Sequence, residues 1–433
     1  MDDMFQLSIE LYDTKESKVV WSDRWEEDWN NLTTIKMSLS DGLLKALDIS
    51  SKVIKRMEAA NPIAYEFYLK AKYKFLKRET IDDLDMVREL LYKAIEYDNN
   101  LILAQILLGL TYSAIGDNKK AMSIYTPALQ LAEDMNDKFS LGVSHARIGW
   151  IYWKTGKLNK ALEHYEYSTK IMKVLGDKRG FATGISSIGD IYWVKGRLNK
   201  ALGNYHQAEK IWTNLSDNYG IEHNYVGQGL IYFAKGEYDK TVHFNTLSLK
   251  INKEIGNKLG TGFNLNNIGK VYLLQGNLNN ALEHIEKSFQ ISKEMGHKYL
   301  MSLSLSTYGM IYIDKGIYEK GINYLEQSIS LQKEIELKVN DILIDATSKL
   351  YLIYKKTGKE YDENKIGSLI RKTPNIQYYI YYTIYQLLED DSYLKTAFNQ
   401  VQEKASAMEE EFSMKFLSYP IPKAIVEEWE KVK

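Results

Sequence analysis

Small and aromatic residues recur along most of the chain with a spacing of 40 residues. One glycine series is Gly109, Gly149, Gly189, Gly229, Gly269 and Gly309, and a second series follows seven residues later as Gly116, Gly156, Gly196, Gly236, Gly276 and Gly316. A tyrosine stands three residues after each glycine of the first series, at Tyr112, Tyr152, Tyr192, Tyr232, Tyr272 and Tyr312. Residues three apart share one helical face, and glycine suits a helix end. This spacing therefore predicts a helix that stops at the second glycine of each unit.

A second helix is predicted after a short polar turn in each unit. These second helices carry an alanine at one shared position, namely Ala121, Ala161, Ala201 and Ala281. Four residues later the first three of them have a tyrosine, at Tyr125, Tyr165 and Tyr205. An apolar residue then precedes the next turn, at Met135, Leu175, Leu215, Ile255, Met295 and Ile335. Each unit is thus predicted as helix–turn–helix–turn, with an apolar face that only stacked neighbours can cover.

The first 50 residues follow a different pattern. Residues 5–11 alternate between apolar and polar side chains, which predicts a half-buried strand. A second strand is expected to begin at Val19, after a polar turn at 13–17, and a helix is expected from Leu32 to Leu47. Because a lone hairpin is at best marginally stable, this segment should belong to a larger α/β domain or dock on the first repeat.

Composition narrows the class of protein. Apolar residues make up 45% and charged residues 26% of the 433 residues, which is typical of a folded globular chain. The formal net charge of -1 gives no reason to expect nucleic acid or an anionic membrane as partner. The chain has no cysteine, which excludes disulfides, thiolate nucleophiles and cysteine-based zinc sites. No stretch reaches the ~18 apolar residues of a membrane span, so we expect no membrane insertion. The absence of cysteine is compatible with a reducing cytoplasm, which is the expected location.

Residues that would carry chemistry do not form recognisable groups. The seven histidines are His145, His164, His206, His223, His243, His284 and His297, and none of them is spaced as a helical metal-binding pair. The glycine-rich stretch 256–262 lacks the Gly-Lys-Ser/Thr ending of a phosphate-binding loop, and no strand is predicted before it. We therefore expect no catalytic residues, no cofactor and no metal site.

The repeat resembles the tetratricopeptide family. The residues that carry the resemblance are Leu108, Gly109, Tyr112, Gly116, Ala121, Tyr125 and Ala128. The first-helix tryptophan and the closing proline of that family are missing, and the unit is longer than the usual ~34 residues. The resemblance implies an all-α fold, a right-handed superhelical solenoid of tetratricopeptide-like helix pairs with a repeat of about 40 residues. The N-terminal β-hairpin and helix would be a small addition to it.

The N-terminal segment is similar to the end of the TolB-like domain of bacterial signalling proteins. The matching residues are Leu11, Tyr12, Asp13, Trp21, Trp25 and the helix from Leu32. In those proteins the domain usually follows a class III adenylate or guanylate cyclase domain or a protein kinase domain. We expect three regions: a partial α/β fragment at 1–50, tetratricopeptide repeats at 51–360, and a last helix pair with a C-terminal cap at 361–433.

The family resemblance also implies a binding groove, because the first helices of such repeats line a concave surface that binds a peptide or a partner helix. The residues expected to face it are Arg147, Trp150, Trp153, Ser186, Asp190, Trp193, His223, Phe233, Asn266, Asn267 and Lys270. Trp153, Trp193 and Phe233 share one register and would form an aromatic strip. The alternative, that these aromatic rings only fill space between first helices, stays open.

Three functions remain open at this stage. The favoured hypothesis is an interaction or scaffold module that binds a protein or peptide segment and regulates a bacterial signalling enzyme. A second is the C-terminal portion of a nucleotide cyclase whose catalytic domain lies outside this chain. A third is a self-associating scaffold, which would form a homodimer through the N-terminal fragment.

Overall fold

The computed structural model describes residues 4–13, 18–28, 61–78, 83–335, 341–373 and 376–432. The chain divides into two compact units, Met1–Lys195 and Gly196–Lys433. Apart from one hairpin, the regular structure of the described residues is helical. None of the helices in these ranges is long and apolar enough to cross a bilayer.

The first unit begins with the hairpin. Strand β1 (Met4–Asp13) pairs antiparallel with β2 (Lys18–Asp28), and the register is irregular between Leu11 and Tyr12. The two predicted strands are therefore confirmed, whereas the helix expected from Leu32 to Leu47 lies outside the described residues. The helices of this unit are α1 (Pro62–Lys77), α2 (Asp83–Tyr97), α3 (Ile102–Ala114), α4 (Asn118–Asp134), α5 (Lys138–Lys154), α6 (Leu158–Leu175) and α7 (Lys178–Val194).

The second unit continues the same helix–turn–helix pattern. Its repeat helices are α8 (Leu198–Asn214), α9 (Asn218–Lys235), α10 (Tyr238–Glu254), α11 (Lys258–Leu274), α12 (Leu278–Glu294), α13 (Lys298–Asp314) and α14 (Tyr318–Glu334). The remaining helices are α15 (Asp341–Thr357), α16 (Glu363–Lys372), α17 (Tyr378–Leu388), α18 (Asp391–Ser406), α19 (Glu410–Ser418) and α20 (Pro420–Val432). Within each unit, successive repeat helices pack together, which confirms the predicted all-α solenoid of helix pairs.

Local signals at the helix ends explain these boundaries. Asp137 begins α5 because its carboxylate accepts hydrogen bonds from the backbone N–H groups of Phe139 and Ser140, both at 3.1 Å. Gly156 ends the helix with φ of +74°, which allows the N–H of Lys157 to donate to the carbonyl of Tyr152 at 2.8 Å. The prediction that the second glycine of each unit stops the first helix is confirmed here.

Glycine also sets how closely the second helix of one repeat approaches the first helix of the next. A Cβ on Gly227 of α9 would lie 2.4 Å from Cζ of Tyr205, a ring on α8 that is 1% exposed. Gly203 of α8 is exposed, and a Cβ there would have no neighbour within 4 Å. The first glycine is required by packing, whereas the second has no such role.

A histidine pair joins α5 to α6. Nδ1 of His145 lies 3.0 Å from Nδ1 of His164, and the ring of Tyr167 stacks on His145 with centroids 5.3 Å apart. Burial lowers the pKa of His145 to about 4, and the neighbouring His164 acts in the same direction. Burial also lowers the pKa of His164, and Glu163 opposes this effect. Both histidines are therefore uncharged near neutral pH.

The C-terminal helices cover earlier repeats of the second unit. The hydroxyl of Tyr378 on α17 lies 2.5 Å from that of Tyr238, the first residue of α10. Tyr238 also contacts Phe416 and Tyr419, with ring centroids 6.2 and 5.4 Å away. The expected closing segment, Phe416–Val432, thus reaches helices far before it in the chain, which its sequence did not reveal.

Substitution of the two glycines tests the close approach of α8 and α9. Gly227→Ala should lower the free energy of unfolding by about 1–3 kcal/mol, because the new methyl group meets the Tyr205 ring. Gly203→Ala is the matched control and should raise it by about 0.5–1 kcal/mol, since alanine favours the helix. Chemical denaturation of both variants measures this, and equal stabilisation by both would contradict the packing argument.

Removal of His145 tests the linkage between protonation and stability. The pKa of this residue in the folded chain, about 4, is below its ordinary value of 6.5, so the unfolded chain binds the proton more readily between these pH values. Above pH 6.5 neither state binds this proton, so His145 does not lower the stability of the fold. As the pH falls from 6.5 towards 4, proton binding to the unfolded chain lowers the free energy of unfolding. His145→Gln should therefore reduce the loss of melting temperature between pH 7 and pH 4.5. His206→Gln, at an exposed histidine, controls for removing an imidazole, and an equal effect of both variants would contradict the interpretation.

Candidate functional site

Three predicted groove residues lie on one face of α5. Arg147, Trp150 and Trp153 are spaced by three residues, so their side chains follow one another along the helix. Trp150 is 40% exposed and stacks on Trp153, with ring centroids 5.0 Å apart and an interplanar angle of 21°. The ammonium of Lys154 lies 5.6 Å from the centroid of the Trp150 ring. We refer to Trp150 and Trp153 as the tryptophan platform.

Trp153 anchors the platform to the core of the first unit. Its half-buried side chain packs against a cluster formed by Ala161 and Tyr165 of α6 and Ile188 and Ile191 of α7. The Trp153 ring therefore fills space between helices, as the alternative interpretation of the sequence proposed. Trp150 is different, because one side of its ring rests on Trp153 while much of its surface is open to solvent.

The predicted residues of α7 lie beside this cluster. Ser186 is buried, while Asp190 and Trp193 are half-buried. Burial raises the pKa of the Tyr165 hydroxyl well above its usual range, Asp190 adds to this effect, and Arg147 opposes it. The charges of Arg147 on α5 and Asp190 on α7 therefore act on the same hydroxyl within the first unit.

Three polar side chains of the first unit have buried atoms without a hydrogen-bond partner, which the sequence did not predict. The Nε atom of Arg147, the hydroxyl of Ser144 and the hydroxyl of Tyr125 have no hydrogen-bond partner among the described residues. Burial raises the pKa of Tyr125 to about 12, and Arg147 opposes this rise, so the two side chains are neighbours. The sequence signal for Tyr125 indicated packing, and nothing in the spacing indicated an unpaired hydroxyl.

The predicted residues of the second unit have other surroundings. His223 is exposed on α9 and meets the edge of the Tyr205 ring. Asn266 is buried, and its Oδ1 atom has no partner among the described residues. The side-chain amide of Asn267 donates to Oδ1 of Asn245 at 3.3 Å. These residues lie on first helices, as expected.

Phe233 and Lys270 are engaged by other parts of the second unit. Phe233 contacts Tyr238, with centroids 5.8 Å apart, and packs on the cluster that includes the C-terminal helices. The ammonium of Lys270 lies 3.3 Å from Oδ2 of Asp345 on α15 and 5.3 Å from the ring of Tyr379 on α17. In this unit the chain itself therefore covers part of the first-helix surface. Among the predicted tryptophan and phenylalanine residues, Trp150 in the first unit is the most exposed.

Comparison with known proteins agrees with the helix pairs. Models described as "Tetratricopeptide repeat" match residues 106–139, 144–171, 221–294 and 260–334. No curated protein matches the sequence significantly.

Several solved structures share the fold. The apo form of the quorum sensor NprR from B. thuringiensis is 17% identical, with a TM-score of 0.59, and the match covers 79% of this chain and 96% of that one. A Rap protein complexed with Competence and Sporulation Factor is 14% identical, with a TM-score of 0.52, covering 86% and 100%. A STAND protein with a tetratricopeptide repeat sensor from Pyrococcus horikoshii is 18% identical, with a TM-score of 0.54, covering 86% of this chain and 54% of that one.

The helix pairs, the glycines that set their approach and the matching repeat models agree along the chain. Residues 106–139, 144–171 and 221–334 are therefore tetratricopeptide repeats.

Proposed function

We propose that this protein is a scaffold that binds an extended protein or peptide segment, with the tryptophan platform of the first unit as its contact surface. The observation that carries the proposal is the exposed ring of Trp150, which stacking on Trp153 holds in place. Tryptophan is enriched among the residues that dominate binding energy at protein interfaces. A preordered ring loses little side-chain entropy when a partner binds.

Polar groups beside the platform supply the second part of a peptide site. An extended segment presents both N–H and C=O groups that need hydrogen bonds. Arg147 provides donors and Asp190 provides acceptors, and the charges of both act on the Tyr165 hydroxyl. We propose that these two residues orient the bound segment while Trp150 contacts an apolar side chain.

The solved structures support a binding role at the level of the fold. One of them is a Rap protein complexed with Competence and Sporulation Factor, and another is described as a quorum sensor. Regulation of a bacterial signalling enzyme is a finer proposal that rests on the short motifs of the first 50 residues. The proteins named above include no nucleotide cyclase and no kinase, so the cyclase hypothesis gains no support from them.

We propose that the chain performs no catalysis of its own. Among the described residues no group of three or more histidine, aspartate and glutamate side chains could hold a metal ion. A cytoplasmic location and dimerisation through the N-terminal fragment remain predictions of the sequence.

Trp150→Ala tests the platform. Peptides selected from a random display library on the wild-type protein should bind this variant about 30-fold more weakly, because loss of a central aromatic anchor costs about 2 kcal/mol. Fluorescence anisotropy of labelled synthetic peptides measures the affinities.

Tyr73→Ala is the matched control. Tyr73 is an aromatic residue of the same unit, 65% exposed on α1 and outside the platform. Its replacement should leave the affinities unchanged. Peptides that bind Trp150→Ala as well as they bind the wild type would place the binding surface elsewhere, and the platform would then be only a packing feature.

A further inference from the structure

A cleft in the second unit has no role in the proposed peptide site. It has a volume of about 580 Å³ and lies between the start of α8, the end of α9 and the helix α18. Its basic lining residues are Arg197, Lys200, Lys235 and Lys404. Ile376, Ala407 and Met408 add an apolar wall. Four cationic groups thus converge on a space of the size that small-molecule ligands occupy.

The acidic residues that line this cleft are fewer than the basic ones. Its one acidic lining residue, Glu403, is exposed to solvent. Lys235 lies 3.2 Å from the carboxylate of Glu237, but that carboxylate also pairs with Lys240 at 2.6 Å. Within the described part of the chain, neither Arg197 nor Lys404 has a carboxylate within ion-pair distance. The surplus of positive charge attracts an anion.

Lys404 is the most constrained of these groups. Its ammonium donates a hydrogen bond to the backbone carbonyl of Ala234 at the end of α9. Burial lowers the pKa of Lys404 to about 8, and the exposed carboxylate of Glu403 does not restore it. A half-buried ammonium with a single neutral acceptor is stabilised when an anion binds beside it.

The start of α8 adds further donors. Asp177 and Asp217 cap α7 and α9 with side-chain hydrogen bonds, whereas α8 begins at Arg197 without such a cap. Leu198, Asn199 and Lys200, the first turn of this 17-residue helix, line the cleft. Their backbone N–H groups and the positive end of the helix dipole favour an anion such as phosphate.

We propose that this cleft binds the phosphate group of a small organic ligand. Arg197, Lys404 and the first turn of α8 hold the phosphate, and the wall formed by Ile376, Ala407 and Met408 contacts the organic part. Phosphate is favoured over an acidic peptide because the first turn of α8 lines the cleft without a side-chain cap, and the cleft has the volume of a small-molecule site. The site is separate from the tryptophan platform and does not depend on the proposed peptide binding.

Titration of the full-length protein with pyrophosphate tests this site by isothermal calorimetry at low ionic strength. The wild type should bind pyrophosphate with saturation, and Arg197→Gln and Lys404→Met should each weaken binding about tenfold, as expected for loss of one charge-assisted contact. Lys157→Gln is the matched control. Lys157 occupies the equivalent position at the start of α6, which also lacks a side-chain cap. Its replacement should leave the affinity unchanged.

Three outcomes would overturn the proposal: no saturable binding by the wild type, equal weakening by Lys157→Gln, or tighter binding of a tetraglutamate peptide than of pyrophosphate. Because Lys404→Met could disturb the packing at Ala234, a second measurement uses the unaltered chain. Limited acetylation followed by mass spectrometry should show that pyrophosphate slows modification of Lys404 but not of the exposed Lys253. Equal rates at Lys404 with and without pyrophosphate would also contradict the assignment.

Discussion

The repeat depends on one contact, in which a side chain of the second helix enters the space that a glycine leaves on the first. A Cβ on Gly109 would lie 2.4 Å from the ring of Tyr125, and one on Gly309 would lie 2.6 Å from Cγ of Leu325. In both cases the partner stands 16 residues after the glycine. The glycine allows the two helices to approach closely, and the filled space avoids a cavity. Tyrosine fills this space in one pair and leucine fills it in the other.

Because this contact repeats, equivalent positions of successive first helices share one surface, and different residues give that surface different roles. In the first unit the position after the glycine is Trp150, whose ring stacks on Trp153 and remains partly open. In the second unit the equivalent position is Lys270, whose ammonium pairs with Asp345 and faces Tyr379. One scaffold therefore leaves this surface partly open in one unit and covers it with its own C-terminal helices in the other.

The buried pair of Tyr238 and Tyr378 shows how the second unit specifies this self-contact. Burial raises the pKa of both hydroxyls, so they stay protonated and share a hydrogen bond of 2.5 Å. Each hydroxyl would be costly to bury alone, and the pairing removes that cost only in one arrangement of α10 and α17. The same arrangement brings α18 to the end of α9, and the basic cleft exists because of it.

The sequence by itself determined the period, the ends of the helices, the hairpin strands and the first-helix positions of Arg147, Trp150 and Trp153. These features are local, since a helix or strand repeats its side-chain directions at short intervals that spacing along the chain reveals. Only the tertiary structure decided that Phe233 and Lys270 are engaged within their unit, that His145 pairs with His164, and that Lys404 lies beside Ala234. The last of these contacts joins residues 170 positions apart. Such contacts depend on how whole surfaces fit together, and the spacing of residues along the chain does not indicate that fit.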